Sequence, residues 1–94
     1  MPTTRWGILG PGRIAEKFAK AVAAVPEARL TAVASRDGVR ARAFAERFAV
    51  ARAHDSYQAL ANDDDVDAIY VATPHTGHHR ASLLCLEAGK AVLV

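Results

Sequence analysis

The sequence predicts an α/β fold: a doubly wound parallel sheet of about five strands in the order 3-2-1-4-5, with helices on both faces. Two observations predict it. Apolar strand patterns alternate with helical patterns along the whole chain. A glycine turn, Gly10-Pro11-Gly12, then joins the first strand to the first helix. A turn of that kind opens the first βαβ unit of such sheets.

The elements follow in order. Strand one covers about 4–9 and helix one about 12–25. Ile14, Phe18, Val22 and Val25 recur at helical spacing as the inward stripe, and Pro11 suits the first turn. Pro26 stops that helix, and strand two covers about 28–35. Helix two runs about 38–48, with Ala41, Phe44, Ala45 and Phe48 inward and Arg40, Arg42, Glu46 and Arg47 outward. A short strand at about 50–53 follows, and His54 falls in a loop or at a strand edge. Ser56 is an N-cap for a short helix, 57–61. Asn62-Asp63-Asp64-Asp65 reads as a solvated polar turn and not as a metal site, since no further hard ligands accompany it. Strand four, about 67–72, is nearly continuous in apolar residues, which suits a strand covered on both faces. Helix 76–88 carries Ala81, Leu84, Cys85 and Ala88 inward. Gly89 ends it, and Lys90 complements its C-terminal dipole. Residues 91–94 form strand five, an edge strand.

Length and composition define one small domain. There are 94 residues, 51% of them hydrophobic, with net charge +2. That charge is too mild for nucleic acid, and the arginines are spread along helices without interleaved aromatics. The single cysteine, Cys85, cannot close an internal disulfide and reads as a small buried hydrophobe. No segment approaches the ~20 apolar residues of a membrane span. The N-terminus lacks a signal-peptide pattern, so a cytoplasmic location without membrane association is expected.

The chemistry gathers in two segments. Residues 10–15 read G-x-G-x-x-A directly after a strand and at the start of a helix. Gly10 permits the sharp turn. Gly12 lets a pyrophosphate approach the backbone, and Ala15 lets the helix pack close to the strand. The first N–H groups of the helix then face the phosphates. The second segment, Ala72–His79, leaves the C-terminal end of strand four. The predicted strand order reverses between strands one and four, so both segments converge on one crevice.

The end of strand two bears on the choice of dinucleotide. NAD binding uses an acidic residue there, about 20 residues past the glycines, to accept the ribose 2′-OH. This sequence has Ser35 followed by Arg36. A hydroxyl and a guanidinium welcome a 2′-phosphate that a carboxylate would repel. NADP(H) is therefore preferred over NAD. Asp37 is the competing residue, since a small register shift would aim it at the ribose.

Four segments in order, residues 6–15, 33–37, 71–78 and 87–94, resemble the N-terminal Rossmann-type domain of the Gfo/Idh/MocA oxidoreductases. The spacing is similar to the branch with dihydrodiol and xylose dehydrogenases. The resemblance implies hydride transfer between a nicotinamide cofactor and a hydroxyl or carbonyl of a sugar, polyol or diol. It implies that Gly10, Gly12, Arg13 and Ile14 hold the pyrophosphate. It further implies that Thr73, Pro74 and His75 line the crevice, with His78 near the nicotinamide. Members of the family continue from the last strand into a Glu-Lys-Pro motif and a larger substrate domain that often mediates oligomerisation. This sequence stops at Val94, where that motif would begin. It is expected to be an incomplete, oligomer-prone cofactor domain, inactive alone, that meets a small-molecule substrate only with the missing part. No catalytic residue is assigned.

His75, His78 and His79 form H-x-x-H-H, but zinc needs further ligands and none follow a recognisable pattern, so no metal is assigned. The alternative reading is a non-catalytic, free-standing nucleotide-binding or interaction module.

Overall fold

Thr4–Leu9 forms the first strand, β1, and its alternating side chains divide the molecule into two faces. Helix α1 (Arg13–Ala23), strand β2 (Ala28–Ala34), helix α2 (Gly38–Phe48) and strand β3 (Arg52–His54) follow. Helix α3 (Tyr57–Ala61), strand β4 (Ala68–Val71), helix α4 (His78–Glu87) and strand β5 (Ala91–Leu93) complete the chain. This computed structural model describes residues 3–73 and 78–93, with the backbone alone for His78 and His79.

The five strands make one parallel sheet in the order β3-β2-β1-β4-β5. The predicted strand order and the alternation of elements are both present. Central strand β1 sets Ile8 beside Val33 on one side and Tyr70 on the other. One face buries Ile8, Val33, Phe44, Ala45 and Val50 with Ala15 and Ala19 of α1. The opposite face buries Leu9, Leu60, Val66, Ile69 and Val71 with Ala81 and Cys85 of α4. Burial also pushes the Cys85 thiol up, which keeps it an inert hydrophobe. Among the described residues, no helix is long and apolar enough to cross a membrane.

Four expectations need correction. Helix α1 does not turn Ile14 and Val25 inward: they are 57% and 46% exposed. Ala15, Ala19 and Val22 are buried instead. Small side chains let the helix lie close to the sheet, and that proximity leaves the larger residues at the margins. Phe18 sits there, stacked on Tyr70 at 4.3 Å and edge-on to Trp6 at 5.2 Å. Pro11 precedes the N-cap, Gly12, and so lies outside the first turn.

The polar turn 62–65 is not simply solvated. Asp63 is buried and joins His54 Nε2 at 2.9 Å, Arg52 at 2.8 Å and the backbone N–H of Asp65 at 2.9 Å. Burial pushes its carboxyl up, but the His54, Asp65 and Arg52 donors outweigh that and hold it below the ordinary carboxylate range. Among the described residues, no group of three or more His, Cys, Asp and Glu could hold a metal ion.

Lys90 does not serve the end of α4. Its ammonium donates to the carbonyls of Asp63 and Val66, at 2.6 and 2.7 Å, and ties β5 to the turn before β4. The helix end closes on its own backbone: Lys90 N–H donates to Cys85 and Gly89 N–H to Leu86, with Gly89 at φ 83°.

Candidate functional site

The ladder of β1 runs to its C-terminal end. There the N–H of Gly10 donates to Ala34 at 2.9 Å and that of Ala72 to Leu9 at 2.8 Å. The chains that leave β1, β2 and β4 therefore start from one rim. β1 lies between β2 and β4, so the helices that follow β1 and β4 cover opposite faces. A crevice opens where they diverge. Gly10, Pro11, Ser35, Arg36, Asp37, Arg40, Tyr57, Ala72 and Thr73 line a cleft of about 290 Å³ there.

The glycines of the turn have different environments. Gly10 is at φ 95°, a conformation that favours glycine, and it sits against Thr73. At Gly12 the backbone is extended, and an added Cβ would meet nothing within 4 Å among the described residues. That open space lies at the N-terminus of α1, which no side chain caps. Positive partial charge and an unfilled approach coincide, which is what a phosphate group requires.

Ser35 is buried at the end of β2. Its N–H donates to His54 at 3.2 Å, and its hydroxyl accepts from the N–H of Asp37 at 3.1 Å. The hydroxyl hydrogen is left to donate. Asp37 also lines the cleft, and one oxygen of its carboxylate accepts from Val39 N–H at 2.9 Å and caps α2. Arg36 is exposed on the cleft wall, with its guanidinium carbon 5.9 Å from the centre of the Tyr57 ring. Arg40 also faces the cleft and donates to the Pro11 carbonyl at 3.3 Å.

The structure thus brings Gly10, Ser35, Arg36 and Thr73 to one cleft, with Gly12, Arg13 and Ile14 following Pro11 into α1. The exposure of Ile14 leaves it open to a ligand at the helix start. Pro74 and His75 lie outside the described residues, as does the His78 side chain. Sequence reasoning missed Arg40 and Tyr57. Arg40 lies in the first turn of α2, just after the strand end that carries Ser35 and Arg36, and that placement is the signal that could have found it. Tyr57 follows the Ser56 cap, whose hydroxyl accepts from Ala59 N–H at 3.1 Å, and is fixed by it at the mouth of the cleft.

Comparison with known proteins gives a consistent picture. The model of the GFO/IDH/MocA oxidoreductase family, NAD-binding Rossmann fold, matches residues 4–94. Mouse trans-1,2-dihydrobenzene-1,2-diol dehydrogenase is 47% identical over 91 residues, which cover 95% of this chain and 27% of that protein. The human protein of the same name is 43% identical with the same coverage. Among solved structures, KijD10 of Actinomadura kijaniata, a 3-ketoreductase in complex with TDP-benzene and NADP, superposes with a TM-score of 0.91 at 40% identity. That match covers 97% of this chain and 29% of the other. Scyllo-inositol dehydrogenase of Lactobacillus casei, with NAD(H) and scyllo-inositol bound, has a TM-score of 0.85 at 25% identity, covering 96% and 27%. The chain spans about a quarter of the length of the relatives it matches.

Proposed function

From membership of the GFO/IDH/MocA oxidoreductase family, to which this chain belongs, we propose that it is a nicotinamide-dinucleotide domain that prefers NADP(H). In this reading it is the cofactor-holding part of an oxidoreductase that moves hydride between the nicotinamide and a hydroxyl or carbonyl of a sugar, polyol or diol. The residues present fit such a group: an uncapped helix start faces open space at Gly12, beside a cleft with Arg36 and Arg40 on its wall. When bound, the dinucleotide supplies or accepts the hydride. The chain's own residues hold it. The turn Gly10–Ile14 receives the pyrophosphate on backbone N–H groups. Pro11 contributes none, since it has no N–H. In this reading Thr73, Pro74 and His75 line the crevice beside the cofactor, with His78 toward the nicotinamide side.

The observation that carries the preference for NADP(H) is the pair of guanidinium groups, Arg36 and Arg40, that line the cleft with Ser35. They outnumber the single carboxylate there, Asp37, one oxygen of which caps α2. A 2′-phosphate there meets donors and positive charge. In support, one solved relative carries NADP, and another carries NAD(H) at lower identity.

The test is a fluorescence titration of the purified chain with NADPH and NADH. Tighter binding of NADPH by tenfold or more is expected, together with a rise in melting temperature at saturation. Equal affinity for the two would sink the Ser35/Arg36 reading. Binding of neither would sink the dinucleotide reading and leave the alternative, an interaction module without catalysis. Turnover is expected only when a substrate-binding part is supplied.

A further inference from the structure

Arg36 is a long, exposed side chain on the β2–α2 connection, and nothing in its own segment fixes where its guanidinium points. Tyr57 is its opposite in rigidity. It is the first residue of α3, held by the Ser56 cap, and its ring packs against the core cluster that contains Leu60 and Val66. The Arg36 guanidinium lies over this ring, 5.9 Å from its centre, and both residues line the same cleft as Ser35 and Arg40. We infer that Tyr57 is a positioning residue: its ring face holds Arg36 at the cleft wall and so sets selectivity for a dinucleotide with a phosphorylated ribose.

The physical argument concerns ordering. A free arginine loses rotamer entropy when it closes on a phosphate. An arginine already resting on an aromatic face has lost much of that freedom beforehand, so more of the ion-pair energy appears as affinity. The ring face leaves the guanidinium edge free to donate, because a cation over a ring uses its plane and not its N–H groups. Arg40 is fixed differently, through its bond to the Pro11 carbonyl. The two cations are therefore anchored on independent elements, one by the α3 start and one by the glycine turn. The inference rests on the NADP(H) reading given above.

The experiment uses the full chain and measures Kd for NADPH, NADH and 2′-AMP in the wild type, Tyr57→Leu, Tyr57→Phe, Arg36→Ala and the Tyr57→Leu/Arg36→Ala double variant. Tyr57→Leu should weaken NADPH and 2′-AMP about fivefold and leave NADH within twofold. Tyr57→Phe keeps the ring face and should bind like the wild type. Arg36→Ala should lose at least as much as Tyr57→Leu, and the double variant no more than Arg36→Ala alone, which is the signature of two residues acting as one unit. An unchanged NADPH affinity in Tyr57→Leu overturns the inference. So does an equal loss for NADPH and NADH, which would make Tyr57 a general wall of the cleft. Failure of Tyr57→Phe to bind like the wild type would show that the hydroxyl, not the ring, matters. A wild type that binds NADPH and NADH equally would instead remove the underlying preference, and it is read from the wild-type titrations alone.

Discussion

Gly10 and Thr73 meet where β1 and β4 release the chain: a Cβ on Gly10 would stand 3.1 Å from Thr73 Cγ2 and 3.2 Å from its backbone nitrogen. The obstacle is partly backbone, which cannot swing aside. Gly10 also sits at φ 95°, where L side chains are strained. The first glycine of the turn is therefore required by the fold. The second is not, since a Cβ on Gly12 would project into open space.

This contrast predicts opposite phenotypes for two neighbouring substitutions. Gly10→Ala should cost about 3 kcal/mol of stability, from strain plus overpacking. Gly12→Val should cost about 1 kcal/mol, the difference between glycine and valine at an N-cap. Its side chain would nonetheless occupy the phosphate approach and weaken NADPH binding about 100-fold. Thermal melts and titrations on both variants measure this. A Gly12→Val protein that unfolds like Gly10→Ala would show that Gly12 also serves the fold.

Asp63 supports a second prediction. It is 6% exposed and accepts from Arg52, His54 and the Asp65 backbone. Asp63→Ala removes the shared acceptor and leaves those donors at a half-buried turn. Loss of about 2 kcal/mol is expected, or about 10 °C in Tm for a domain of this size. Dinucleotide affinity should be unchanged, because none of these residues lines the cleft. A melt within 2 °C of the wild type would show that the turn does not depend on the Asp63 carboxylate.

These examples indicate what the sequence carried legibly. Alternating periodicities specified a parallel α/β sheet, because parallel strands need crossovers, and the glycine turn after the first strand pointed to the 3-2-1-4-5 order among the doubly wound ones. The glycine turn, Ser35 and Thr73 were legible because they follow strand ends, and strand ends converge by topology. The helical pattern turns Arg40 outward, which is correct relative to the core, but the outward side of a helix start is also the side that faces a crevice. Periodicity weights large residues and therefore points Ile14 inward. Close packing of α1 instead selected Ala15 and Ala19, and no periodicity distinguishes a short contact distance from a long one. Asp63 looks solvated in the sequence because its partners, Arg52 and His54, come from β3, and a polar run carries no sign of donors brought by another element.

Ala49 offers a stabilising change. It follows α2 in the left-handed conformation, at φ 56°, where its N–H and that of Val50 both close on the Ala45 carbonyl. Alanine pays a steric penalty in that conformation that glycine does not. Part of the gain is lost to the greater unfolded-state freedom of glycine. Ala49→Gly should raise stability by about 0.7 kcal/mol and Tm by about 4 °C. A lower Tm would mean that the Ala49 methyl makes packing contacts worth more than the strain.

Asp67 predicts a pH dependence. Its carboxylate accepts from the Arg5 side chain, at 2.9 and 3.1 Å, and from the Arg5 backbone N–H at 2.8 Å. These bonds pull its pKa down from 3.8 to about 2. The unfolded chain, with the higher pKa, takes up the proton first as pH falls. The contribution of Asp67 is therefore complete above about pH 4 and is lost as pH drops toward 2. Both side chains are 41% exposed, so solvent screening holds the contribution to about 0.5–1 kcal/mol, less at high salt. Asp67→Asn should lower stability by that amount at pH 7 and flatten the stability profile between pH 4 and 2. Denaturant unfolding at pH 7, 4 and 2.5 in both proteins measures it. Parallel profiles for the variant and the wild type would show that the bonds between Asp67 and Arg5 do not distinguish the folded from the unfolded chain.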